Sequence, residues 1–174
     1  MTAIDEAAGV GSGKSTHDAA ARLSVGDATW ALTLPQLPYA DAVHAELRAV
    51  AMPPSVLEAG VRRGRAGGDE LFVRAVWPAG TALLDDRVRP YGLTVAWSHV
   101  TGWAAHDADG HALLLDVDVL AAPALIAHAA LHMAEQPLDG GEPWTPPPGP
   151  ARWSEAVYLD IALAHYEDRE QPLW

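Results

Sequence analysis

The sequence predicts an α+β domain in which an antiparallel meander sheet is covered by two helices, with an additional C-terminal helix. Three observations carry that class. Short β-rich runs between residues 56 and 117 are joined by glycine- and aspartate-bearing turns and by one longer loop through Pro90. Tyr39–Val50 and Pro123–Glu135 space apolar residues at helical intervals on either side of those runs. The chain has 174 residues, 49% hydrophobic and 20% charged, the make-up of an ordinary globular domain with one sizeable core.

Along the chain, residues 1–26 mix small residues with four glycines and read as a flexible N-terminal segment. The α+β domain is expected over 27–137, and Trp30–Leu34 alternates as a short strand halted by Pro35. Val43, Leu47 and Val50 line one side of a helix that Pro53-Pro54 ends. Val56–Arg62 and Leu71–Trp77 then make a hairpin around a glycine-rich tip, which carries Arg62, Arg63 and Arg65. Beyond Pro90, Leu93, Val95 and Trp97 face one side while Thr94, Ala96 and Ser98 face the other. The meander continues through Trp103–His106, the Asp107–Gly110 turn and Ala112–Val117. Pro123 suits the first turn of a helix whose apolar face is Ala122, Leu125, Ile126, Ala129, Ala130 and Met133. Residues 138–150, with five prolines, read as a linker or surface strap, and 151–174 as a helix packed on the domain or on a neighbouring subunit.

Charge excludes some functions. The net charge of −12 is uneven: eight acids against two arginines leave −6 between Glu135 and Trp174, whereas Arg62–Arg89 is net +2. Such a field repels phosphate, so general nucleic-acid binding is not expected, while a local arginine cluster can still dock an acidic partner. Cysteine is absent, which removes disulfides, thiolate metal sites and cysteine nucleophiles. No apolar run reaches membrane-spanning length, and the acidic start lacks the basic and apolar parts of a signal peptide, so a cytoplasmic location is expected.

Few motifs carry chemistry. Gly9–Thr16 contains Gly-Ser-Gly-Lys-Ser-Thr, but Ala8 replaces the first glycine of a phosphate loop and no apolar strand precedes it, so no nucleotide-binding residue is assigned. His128, His132 and Glu135 share one helix side and offer two imidazoles and a carboxylate to zinc or iron. The same spacing also suits a solvated side, and Ala129 stands where a zinc peptidase has its glutamate. Asp116 and Asp118 lie two apart, as an acid pair or as capping and solubilising groups. His106, Asp107, Asp109 and His111 read as turn chemistry. Trp77, Trp97 and Trp103 are core candidates, with Trp103, after Gly102, the one to line a groove or interface.

The stretch Tyr39–Glu135 resembles a family of small uncharacterised proteins from high-GC bacteria that share a domain of unknown function. The resemblance rests on Tyr39-Ala40-Asp41-Ala42-Val43, Pro53-Pro54-Ser55-Val56, Val95-Ala96-Trp97 with Gly102-Trp103, and Asp118-Val119-Leu120-Ala121-Ala122-Pro123. Ser98-His99-Val100-Thr101 departs from the acidic residues that the family pattern places before Gly-Trp. The resemblance implies an α+β unit and carries no catalytic residue across.

The expectation is a non-enzymatic cytoplasmic interaction module without cofactor, an adaptor, regulator or accessory protein that binds another protein, with a homodimer possible. Arg62, Arg63, Arg65 and Trp103 are its expected contact residues. The alternatives are a metal-dependent enzyme or sensor built on His128, His132 and Glu135, and an acidic decoy that blocks a DNA-binding protein.

Overall fold

Alternation within short runs and helical spacing outside them produce a five-stranded antiparallel sheet with helices packed on one side. The computed structural model describes residues 34–64 and 68–170, all within the unit Thr33–Trp174. The readings made for residues 1–33 and for Arg65 lie outside them. In chain order the elements are α1 (Leu37–Ala49), β1 (Val56–Arg63), β2 (Asp69–Trp77), β3 (Leu93–Ser98), β4 (Gly102–His106), β5 (Ala112–Leu114), α2 (Pro123–Glu135) and α3 (Ala156–Glu170). The strands lie side by side in sequence order, each antiparallel to the next, which is a meander.

Alternate residues of the inner strands turn to the core. Leu71, Val73, Ala75 and Trp77 of β2, Leu93, Val95 and Trp97 of β3, and Trp103 and Ala105 of β4 are all buried. Tyr39, Val43 and Leu47 of α1, Ile126, Ala130 and Met133 of α2, and Leu159 and Leu163 of α3 pack into the same cluster. The predicted apolar face of α2 is therefore buried, and Ala127 and Ala134 are buried beside it. The helix packs against α1 on one flank and against the segment after it on another, so its buried arc is wide.

Connections explain the boundaries. α1 stops before the two prolines because Ala51 takes a left-handed backbone (φ 58°) and the Met52 amide closes back on the Leu47 carbonyl at 2.8 Å. Between β3 and β4, Gly102 (φ 74°) supplies the left-handed residue of a tight turn, and Ser98 Oγ accepts the Val100 and Thr101 amides. At Gly92 (φ 70°) a Cβ would meet Ala79 N and Trp77 O at 2.8 Å, so only glycine closes the loop after β2. That loop docks on the end of α2: the Asp85 amide and the Arg87 guanidinium donate to the Ala134 and Glu135 carbonyls, which the helix leaves unpaired. β5 is shorter than predicted, because Leu115 turns inward and the Val117 amide closes on the Leu115 carbonyl.

The three sheet tryptophans bind these connections to the core. Trp77 Nε1 donates to the Pro53 carbonyl at 3.1 Å and Trp97 Nε1 to the Val119 carbonyl at 2.7 Å. Trp103 Nε1 donates to Tyr39 Oη at 3.0 Å, and that hydroxyl donates to the Ala121 carbonyl at 2.7 Å. Each indole thus buries its ring and still satisfies its N–H.

Candidate interaction surface

The residues that alternate outward from the core form the second face of the sheet. Cross-strand register places Glu58, Arg74, Ala96, Ala104 and Leu114 in one row from β1 to β5. Neighbouring rows hold Val76 beside Thr94 and Phe72 beside Ser98. Most buried side chains of the three helices, among them Val43, Leu47, Ile126, Met133, Leu159 and Leu163, belong to the core cluster with the inward residues of the sheet, and none of the described helices contributes to that cluster from the second face. An antiparallel sheet with a wet face ordinarily alternates polar residues outward. Here the centre of that face is small or apolar, and Leu114 at its edge is 66% exposed.

Charge on this face is balanced. Arg74 grips Glu58 through Nε and Nη2 at 3.0 and 2.7 Å, and Arg62 grips Glu70 through Nε and Nη2 at 3.2 and 3.0 Å. The Arg62 guanidinium also stands 5.6 Å from the centre of the Phe72 ring. The hydrogen bonds from Arg62 hold the Glu70 carboxyl below its usual value of 4.5, against burial that pushes it up and with help from Ser98 and His99.

A carboxyl depressed in the folded state contributes stability above its unfolded value and loses it as the pH falls through the folded one. Urea unfolding is therefore expected to show a drop in stability as the pH falls below the ordinary carboxyl value of 4.5, a drop that Glu70→Gln makes shallower. An equal slope in the variant would show that the pair is solvent-screened. His111 runs the other way. The Asp107 carboxylate at 2.8 Å raises its pKa, so its contribution is complete below the ordinary histidine value and fades as the pH rises through the elevated one.

The expected contact residues divide. Arg62 is tied to Glu70, while Arg63 is mostly exposed and reaches Asp69 at 3.5 Å. Trp103 is 1% exposed and lies inside the core, which corrects its reading as a contact residue. Its register partner is Trp97, so both rings point inward.

The metal reading is corrected as well. Trp144 Nε1 donates to His128 Nδ1 at 2.9 Å, and His132 Nε2 lies 2.8 Å from the Glu142 carbonyl. Both imidazoles clamp the proline-rich segment to α2, and Glu135 does not join them. Among the described residues no group of three or more His, Asp or Glu side chains is placed to hold one metal ion. Residues 138–150 have no helix or strand, but Leu138 and Trp144 pack on the core, so the stretch is a strap rather than a free linker.

The strap and α2 border a cleft of about 150 Å³ lined by Leu113, His132, Met133, Leu138 and Trp144. That is smaller than the roughly 300–1,000 Å³ of small-molecule sites. Asp116 and Asp118 do not pair. Asp118 accepts the Leu120 amide and two bonds from Arg152, which also reaches Asp160 on α3. Burial pushes the Asp118 carboxyl up, but Arg152 and the Leu120 amide hold it below the usual range. Nothing in the sequence marked Arg152 as this clasp, because its partners stand 34 and 8 residues away.

Fold and surface together define a class, an α+β unit with one sheet face that no helix among the described residues covers. Comparison with protein-family models, with curated proteins and with solved structures gives no match. Among the described residues no helix is long and apolar enough to cross a membrane.

Proposed function

We propose that the protein is a non-enzymatic interaction module, acting in the cytoplasm, that binds protein through the uncovered face of its sheet. One observation carries the reading: the centre of that face is small and apolar where a solvent-facing sheet would be polar. The distribution of ionisable groups supports the same reading. Arg62, Arg74, Arg87, Arg89 and Arg152 are each bound to a carboxylate, so their charges stabilise local structure instead of converging on a substrate. Arg63 reaches Asp69 at the end of the same hairpin, on the other side of β1 from Arg62.

The test uses a photo-crosslinking amino acid at Leu114, with the exposed Ala45 of α1 as the control position. In living cells, adducts to protein are expected from position 114 and not from 45. The absence of such adducts, or adducts only to residues 1–33 of the same chain, would overturn the proposal.

A further inference from the structure

We infer that the occupant of the uncovered sheet face is a second copy of this chain, packed face to face across a two-fold axis. The inference rests on the interaction reading above and names its partner. Charge is the first argument. The chain carries −12, so two copies repel over most of their surfaces. On the uncovered face Glu58 is paired with Arg74 and Glu70 with Arg62, so its net charge is zero apart from His106. It is a place where two copies can meet without stacking like charges.

Shape is the second argument. Thr94 and Ala96 on β3 and Ala104 on β4 put small side chains at the middle of the face, which lets two sheets approach to the usual spacing of about 10 Å. The longer Phe72 and Arg74 stand to one side, on β2, and Leu114 to the other, on β5. A two-fold axis parallel to the strands lays β2 of one copy over β4 of the next, so tall side chains meet small ones.

Area is the third. Five strands about 4.8 Å apart and about six residues long, at about 3.3 Å per residue, cover roughly 500 Å² on each copy. Two copies then hide about 1,000 Å², close to the least area a specific interface needs, the size class of weak and reversible association.

Sedimentation velocity of the full chain across the micromolar range tests this, with Ala96→Glu, Leu114→Glu and Ala45→Glu in parallel. The wild type and Ala45→Glu are expected to double in mass with concentration, whereas both face variants remain monomeric with unchanged near-ultraviolet circular dichroism. Leu114 is largely exposed, so its variant keeps the test valid if Ala96→Glu does not fold. A wild type that stays monomeric overturns the inference, and so does a dimer that both face variants preserve. If a monomeric wild type still yields adducts from position 114 to a different protein, the interaction reading stands and only the second copy is excluded as partner.

Discussion

Trp103→Ala is expected to lower stability by about 3–5 kcal/mol, a large part of the roughly 5–15 kcal/mol that holds a domain of this size together. The side chain is fully buried at the centre of β4 and meets the Tyr39 ring edge-on at 6.0 Å. Truncation removes its apolar area, opens a cavity between sheet and helices, and takes away the donor to Tyr39 Oη. Arg63→Ala, at an exposed position, is expected to change stability by no more than about 0.5 kcal/mol. Urea midpoints of the two variants measure the difference. If Trp103→Ala unfolded at the wild-type midpoint, the ring would be a surface anchor after all and its burial in the core would be refuted.

Parity explains what the sequence disclosed here and what it withheld. Leu93, Val95 and Trp97 alternate with Thr94, Ala96 and Ser98, and the strand forms over those residues with the first set inside. The same argument extends to Trp103. A three-residue turn that closes Ser98 against Gly102 sets Trp103 opposite Trp97, so the register gives its inward direction and the Gly-Trp pair is not a surface signal. Cross-strand register likewise assigns Arg62 to Glu70, Arg63 to Asp69 and Arg74 to Glu58, which turns each of these arginines into one half of a ladder pair. The second face is partly legible too, since alternation sets Thr94 and Ala96 on the side opposite Leu93, Val95 and Trp97.

Other features needed three-dimensional packing. Helical spacing correctly puts His128 and His132 on one side of α2, but it says nothing of what lies against that side. Trp144 and Glu142 arrive there from the strap and engage one nitrogen of each ring, so that side of the helix holds the strap. Leu115 closes β5 early through a local turn that alternation does not encode. The link from Tyr39 to Ala121 spans 82 residues and depends on how α1 settles over the sheet. Local patterns fix periodicity and turns, whereas these contacts follow from the order in which helices cover the core.

Tyr39→Phe is expected to cost about 1–3 kcal/mol for each of the two polar groups it leaves unpaired, with little change in packing. The ring keeps its place against Trp97 and Trp153, at 5.8 and 5.0 Å between centres, while the Ala121 carbonyl loses its donor and the Trp103 N–H its acceptor. Burial drives the phenol pKa well above its usual 10.0, against the lowering effect of the Trp103 hydrogen bond, so the hydroxyl stays neutral and can donate throughout the working range. The loss should therefore be the same at pH 5 and pH 9, unlike the contribution of His111, which fades as the pH rises through its elevated pKa. A double-mutant cycle with Trp103→Phe isolates the shared bond. Once the indole N–H is gone, removing the hydroxyl orphans only the Ala121 carbonyl, so the double variant should lose about 0.5–3 kcal/mol less than the two single losses combined. Strict additivity would mean that the two side chains stabilise α1 and β4 separately, and that the hydrogen bond between them contributes nothing to joining helix and sheet.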